Sequence, residues 1–165
     1  MGKLLIKQKV FSIRDKFNVY DENEKVKYKV KSSLFSLKYK LTVYDQYDNE
    51  MGVITQRFFS FMPKFDVEIK GQNVGTIRKK FKMFSNNYDI DYNGWRVEGN
   101  FLGWNYNVVN GFNVVARIDK EIFHWGDTYV INYSNEEDEL NALLLVLAID
   151  AANRADSAAA SAASN

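Results

Sequence analysis

The sequence contains no cysteine, one histidine and one proline in 165 residues. Without cysteine the chain has no disulfides, no thiolate metal sites and no cysteine nucleophile. His124 is the only imidazole, so any histidine-dependent relay or metal site would rest on that residue alone. The composition therefore favours a non-enzymatic protein, and we predict no cofactor and no bound metal.

The N-terminal residues lack the continuous apolar run of a secretory signal peptide. Residues 1–10, MGKLLIKQKV, interleave charged and apolar side chains, whereas a signal peptide has an apolar core before its cleavage site. No stretch approaches the roughly 20 apolar residues that cross a bilayer. We therefore predict a cytoplasmic protein without a transmembrane segment, with peripheral association at a membrane left open.

The net charge is only +1, but the charges are segregated along the chain. Residues 1–82 contain 18 Lys and Arg against 9 acids, and residues 83–165 contain 4 against 12. Such a distribution can give a dipolar surface that steers anions to one side, although it also serves solubility. The near-zero total argues against a dedicated nucleic-acid binder.

A repeat of 24 residues occupies the first half of the chain. FSIRDKFNVYD starts at Phe11, FSLKYKLTVYD at Phe35 and FSFMPKFDVEI at Phe59. Apolar and polar residues alternate within each copy, as in a half-buried strand. The repeat therefore indicates a recurring β-unit.

Turn signals at short intervals extend this β pattern to Tyr133. The pairs Asn93-Gly94 and Asn110-Gly111 favour type I′ hairpins, which need positive φ at both residues. We predict about twelve strands between Leu4 and Tyr133, in one domain covering residues 1–154. So many antiparallel strands close into a barrel or stack as a sandwich, and we expect a closed antiparallel barrel.

The C-terminal part contains an apolar segment that cannot lie on a surface. Residues 142–149 are all apolar and would cover every side of a helix. Ser134 and Glu137 match a capping box, which predicts a helix over about 136–154. This helix would fill the barrel, with Asp150 and Arg154 paired where it leaves, and the low-complexity residues 155–165 would be frayed or disordered.

These features resemble one protein family. The FSxxxKFxV repeats, NGWRVEGNFLGWNY at 93–106 and the apolar helix after an acidic cap look like the LURP-one-related proteins, including the bacterial YxjI-like group. That family is grouped with tubby C-terminal domains and phospholipid scramblases. The resemblance spans Leu4 to Arg154 and implies a twelve-stranded barrel around a central helix. It implies lipid recognition only generically, because tubby headgroup-binding positions do not map onto this sequence.

Basic residues form the candidate ligand-binding set. The candidate strand lysines are Lys25, Lys27, Lys29 and Lys31; neighbouring hairpins add Arg14, Lys16, Lys38 and Lys40; and a denser cluster holds Arg78, Lys79 and Lys80. Alternation turns the strand lysines to one face, where they could hold phosphate groups. The alternatives are that lysines protect an edge strand from pairing or simply solubilise it.

The remaining motifs favour structure over chemistry. Asp89, Asp91 and Asn93 match half of a calcium loop, but Asn100 stands where the loop needs Glu. The tryptophans at 95, 104 and 125 are predicted to be core residues. We expect a non-enzymatic binding or scaffold module for anionic lipid headgroups or acidic protein surfaces. The alternative is an enzyme or small-ligand protein with a pocket at a barrel mouth near His124 and Asp127, and the oligomeric state stays open.

Overall fold

The computed structural model describes residues 1–7, 16–35, 38–57, 63–82, 85–91, 93–100, 104–123 and 126–163. Within them lie twelve strands, one 3-10 turn at Glu136–Asp138 and one long helix, α1, at Glu139–Ala163. The strands are β1 Gly2–Lys7, β2 Lys16–Asp21, β3 Val26–Phe35, β4 Lys38–Asp45, β5 Glu50–Gln56, β6 Lys64–Ile69, β7 Gln72–Lys82, β8 Ser85–Ile90, β9 Trp95–Asn100, β10 Asn105–Asn110, β11 Asn113–Phe123 and β12 Gly126–Tyr133.

The strands pair antiparallel in sequence order, and β1 pairs with both β2 and β12. The strand order therefore returns on itself, but the pairing is uneven. β11 and β12 pair along the whole of Gly126–Tyr133, whereas β8 and β9 share the single pair Asp89 with Arg96. The predicted closed antiparallel barrel is wrong: the sheet is a continuous ribbon from β9 through β12 and β1 to β8, and its two ends meet at one residue pair rather than along a ladder.

Near the junction of β8 and β9, Thr76 of β7 is hydrogen-bonded to Asp91, which directly follows β8. The Asp91 backbone N–H donates to the Thr76 carbonyl at 3.1 Å, and the Thr76 hydroxyl donates to the Asp91 carboxylate at 2.5 Å. These bonds hold the end of β8 against β7. The chain then turns sharply through Asn93 and Gly94, whose φ values are +60° and +65°, as the predicted type I′ hairpin requires.

The second predicted type I′ turn is wrong. At Asn110-Gly111 only Gly111 has positive φ, and the turn residues are Gly111 and Phe112. Elsewhere the turn signals mark the hairpins. The turns at 22–25, 46–49, 70–71, 93–94 and 111–112 all lie at the end of the sheet where α1 begins, which we call the near end; the opposite end is the far end.

Alternation along the strands builds the core. Val19, Val43 and Val67, at equivalent positions of the 24-residue repeat, are each fully buried, so the repeat corresponds to β2, β4 and β6. Every strand contributes side chains to one apolar cluster that also contains residues 142–149 of α1. The helix residues in that run are at most 1% exposed, which confirms that the apolar segment is surrounded.

The helix differs from its predicted limits at both ends. It begins at Glu139 after the 3-10 turn. The expected capping box does not form: Asn135, not Ser134, occupies the N-cap position of that turn and makes no side-chain cap hydrogen bond, and the Ser134 hydroxyl donates to the Val114 carbonyl at 2.8 Å. It continues to Ala163, nine residues past the predicted end at 154. The alanine-rich composition of this extension explains its helicity, since alanine has the highest helix propensity.

Candidate anion-binding wall

The lysines of β3 lie on the outer face of the sheet. Tyr28 and Val30 are buried in the core between them, so Lys27, Lys29 and Lys31 project outward by alternation. This is the arrangement that the sequence predicts. The lysines nevertheless differ in what they contact.

Lys27 is bound to the start of α1. Its Nζ lies 2.6 Å from Glu139 Oε2, and the Tyr28 hydroxyl donates to Glu139 Oε1 at 2.7 Å. The Glu139 side chain is only 5% exposed. Burial, followed by the hydrogen bond to Glu139, raises the pKa of Tyr28 far above its usual value. Lys27 therefore neutralises an internal carboxylate and contributes little to a surface for anions.

Lys29 and Lys31 have partners of different kinds. Lys29 Nζ lies 3.0 Å from Asp48 Oδ1, and both side chains are exposed enough for this pair to be weak. Lys31 Nζ lies 4.3 Å from the ring centre of Tyr44. A cation over an aromatic ring keeps its charge and remains available to an anion.

Three lysines form the candidate site: Lys16, Lys31 and Lys40, which we call the lysine wall. Lys16 of β2 stands directly opposite Lys31 of β3. Lys40 of β4 pairs with Ser33, two residues along β3 from Lys31, and is therefore its diagonal neighbour. Among the described residues, no carboxylate lies within ion-pair distance of these three ammonium groups.

Two explanations for surface lysines can now be compared. Edge protection does not apply, because β2, β3 and β4 are each paired on both sides. Solubility would be served equally well by separated lysines, whereas like charges directly opposite on a sheet are destabilising by a few tenths of a kcal/mol or more. The lysine wall thus concentrates positive charge, and a bound anion would reduce the repulsion among its ammonium groups.

The other predicted basic residues do not join this wall. Lys25 is exposed at the near end. Arg78 is exposed on β7, which is four strands from β3 along the sheet. Lys79 is only 4% exposed and shares the inner face with Ile77, so the 78–80 segment is not one surface cluster. The structure gives no side-chain position for Lys38 or Lys80, and Arg14 lies outside the described residues.

Sequence reasoning missed the carboxylate site around Glu139. The acidic residues 136–139 suit the N-terminal end of a helix dipole, but Glu139 lies one helical turn before the apolar run and shares its buried surroundings. Tyr133 completes the site: burial, followed by its hydrogen bond to Glu139, raises the pKa of Tyr133. The helical spacing of Glu139 from Leu143 was the available signal.

The predicted pair of Asp150 and Arg154 is confirmed. Arg154 Nε lies 2.7 Å from Asp150 Oδ2. Burial raises the pKa of Asp150 to about 6, and Arg154 acts in the opposite direction. One residue earlier in the same turn as Arg154, Asn153 accepts a hydrogen bond from the Tyr88 hydroxyl at 3.1 Å. The far end of the core thus holds polar groups as well as apolar ones.

The remaining candidate motifs provide no site. The Asp91 carboxylate is occupied by Thr76; burial alone would raise its pKa, but the hydrogen bonds from Thr76 lower it. The described residues contain no group of three acidic or histidine side chains arranged to hold a metal. His124 and Trp125 lie outside the described residues, as does the side chain of Asp127, and Trp95 and Trp104 are core residues as predicted.

The chain is similar to known proteins in sequence and in fold. The sequence profile of LURP-one-related proteins matches residues 3–150. The chain is 29% identical over 150 residues to the uncharacterised protein YxjI of Bacillus subtilis strain 168, covering 91% of this chain and 93% of that protein. It is also similar to a crystal structure of an Arabidopsis thaliana protein, with a TM-score of 0.58 and 20% identity over 91% of this chain and 90% of that one. The latter similarity is one of fold.

Proposed function

This chain belongs to the LURP-one-related family, and we propose that it is a non-enzymatic binding module whose lysine wall engages anionic lipid headgroups. The proposal places it in the cytoplasm, at the surface of a membrane. Among the described residues, none forms a helix long and apolar enough to cross a bilayer. In this proposal the protein attaches through the outer face of β2, β3 and β4, which carries the lysine wall.

The observation that carries the proposal is the direct opposition of Lys16 and Lys31 with Lys40 on the diagonal. Their ammonium groups present several donors to one anion, and the ring of Tyr44 supports Lys31 from beneath. An ammonium group binds phosphate as a point charge and imposes little geometric selection. The expected specificity is thus for negative charge density and not for one headgroup.

Salt dependence follows from this mechanism. Exposed lysines attract an anionic surface only within about a Debye length, roughly 8 Å at physiological ionic strength. Each lysine near such a surface contributes about 1 kcal/mol. Three lysines give a weak, reversible attachment that high salt releases.

Vesicle co-sedimentation tests the proposal directly. The full chain is mixed with phosphatidylcholine vesicles that contain or lack phosphatidylserine, at low and high salt. We expect sedimentation with the anionic vesicles alone and its loss at high salt. Replacing Lys16, Lys31 and Lys40 by Ser should weaken partition about a hundredfold, on the basis of about 1 kcal/mol for each lysine.

A matched control separates the wall from net charge. Replacing Lys3, Lys25 and Lys70 by Ser removes the same charge from the near end and should leave most of the binding. Equal weakening by both triple variants would reject a localised site. If wild-type protein ignores anionic vesicles but binds polyglutamate through the lysine wall, lipid binding is rejected in favour of an acidic protein surface.

A further inference from the structure

Exposed apolar side chains are concentrated at the near end. Large hydrophobic residues with high exposure among the described residues are Met1, Leu34, Tyr47, Val74, Phe112 and Val114. All of them except Leu34 lie at the near end, either in or beside a turn or, for Met1, before β1. Single exposed apolar residues are common on any protein, but a concentration of them marks an interaction surface.

The hairpin between β10 and β11 carries the most exposed of these side chains. Phe112 occupies the turn and is fully exposed, and Val114, two residues further on, is 42% exposed. Met1 and Val114 border a cleft of about 390 Å³ that also involves Arg117 and Tyr133. The cleft is therefore lined by both apolar and polar side chains.

Hydrogen bonds hold this cleft in shape. The Ser134 hydroxyl donates to the Val114 carbonyl at 2.8 Å, and the Ser134 backbone N–H donates to the Val115 carbonyl at 2.9 Å. These bonds fix the segment after β12 against the first residues of β11. A preformed site of this kind loses little conformational entropy when a partner binds.

Arg117 is the one charged side chain that lines the cleft, and acidic side chains lie beside it. Glu136 and Glu137 follow Ser134 closely and are exposed. The negative charges of Glu136 and Glu22 act on Tyr133 at the base of the cleft, where they add to the effects of burial and of Glu139 in raising its pKa. An anionic membrane or an acidic protein would be repelled here, so this surface and the lysine wall suit opposite partners.

We propose that Met1, Phe112 and Val114, together with Glu136 and Glu137, form a docking surface for a basic amphipathic segment of another protein. An apolar side chain of that segment packs in the cleft between Met1 and Val114, and a second one contacts Phe112 at the adjoining turn. Its lysine or arginine side chains lie against the two glutamates. This surface, which we call the acidic edge, does not depend on lipid binding at the lysine wall.

A peptide set of defined composition tests the acidic edge. Fluorescence anisotropy with the full chain compares labelled peptides of alternating Lys and Leu, Lys and Ser, and Glu and Leu. We expect the Lys-Leu peptide to bind tightest, because only it supplies both the apolar group and the positive charge. Phe112→Ser should weaken that binding about tenfold, the effect of removing one large aromatic contact.

Variants distinguish the charge from the apolar contribution. Replacing Glu136 and Glu137 by Gln should reduce the preference for Lys-Leu over Glu-Leu while the protein stays folded, since both side chains are exposed. Leu34→Ser is the matched control, because Leu34 is 56% exposed but lies at the far end. It should leave peptide binding unchanged.

Other occupants would give different results. Absence of a preference for the Lys-Leu peptide, or equal loss with Leu34→Ser, would overturn the proposal. Self-association in sedimentation equilibrium that disappears with Phe112→Ser would identify a second copy as the occupant. Binding to neutral phosphatidylcholine vesicles that depends on Phe112 would identify a membrane instead.

Discussion

The two ends of the buried helical segment each carry a carboxylate, and the two are held differently. At the near end, Glu139 is bound by Lys27 and Tyr28 of β3 at 2.6 and 2.7 Å. At the far end, Asp150 is bound by Arg154, one turn further along the same helix. The near-end carboxylate therefore ties the helix to the sheet, whereas the far-end pair mainly links the helix to itself.

This difference has consequences for both stability and pH response. A carboxylate with donors from a distant strand resists any movement of the helix relative to that strand. A carboxylate paired within its own helix gives no such restraint, and burial disfavours its charged form. We therefore expect Glu139 to hold the near end of α1 in place against β3. We expect the stability of the far end to depend on the protonation of Asp150.

The largest expected effect is at Glu139. Glu139→Ala removes the acceptor for the Tyr28 hydroxyl and leaves Lys27 without its partner. Removing one partner of a buried, hydrogen-bonded ion pair destabilises a protein by several kcal/mol. The Lys27 side chain is 41% exposed, so water can hydrate its charge once Glu139 is gone. We therefore expect a loss of about 3 kcal/mol in the free energy of unfolding. Urea denaturation measures this.

Glu137→Ala is the control for Glu139→Ala. Glu137 lies two residues earlier in the same acidic run but is exposed, so its removal should change stability by no more than about 0.5 kcal/mol. Similar losses in the two variants would mean that the acidic run acts through general electrostatics and that Glu139 does not tie the helix to β3.

The next effect concerns pH and Asp150. Its pKa is raised from 3.8 to about 6, so the folded state binds this proton more tightly than the unfolded state does. The resulting stabilisation is complete below pH 3.8 and is lost as the pH rises through about 6. A shift of this size corresponds to about 3 kcal/mol, which screening by partial exposure reduces to about 2 kcal/mol.

Comparison with Asp150→Asn isolates this group. Asp45 and Asp91 have lowered pKa values and act in the opposite sense, but they are present in both proteins and cancel. The stability of wild type relative to Asp150→Asn, measured by denaturation at each pH, should fall by about 2 kcal/mol between pH 3.8 and 6. A constant difference over that interval would show that Asp150 titrates normally.

Local patterns predict much of this fold. The 24-residue repeat locates β2, β4 and β6, and alternation in β3 correctly separates Tyr28 and Val30 from the outward lysines. The apolar run identifies the surrounded helix, because a helix with no polar face has no other place in water. These features depend on residues close in sequence.

Individual contacts between residues far apart in sequence were not predicted. Lys27 and Glu139 are 112 residues apart, and nothing in either local sequence specifies their contact. The hydrogen bond between Thr76 and Asp91 likewise joins residues that are 15 positions apart. Lys79 is a different case, since its alternation with Ile77 already indicated the inner face, and the density of basic residues in 78–80 obscured that signal.

The smallest expected effect is also the most direct comparison of the two ends. Tyr28→Phe and Tyr88→Phe each delete one buried hydroxyl, but the first donates to the Glu139 carboxylate and the second to the Asn153 amide oxygen. Hydrogen bonds to charged groups contribute about twice as much as neutral ones, so we expect losses of about 1.5 and about 0.7 kcal/mol in unfolding free energy. Thermal denaturation of both variants at neutral pH compares them. A larger loss from Tyr88→Phe would reverse the comparison and place the stronger attachment of the helix at the far end.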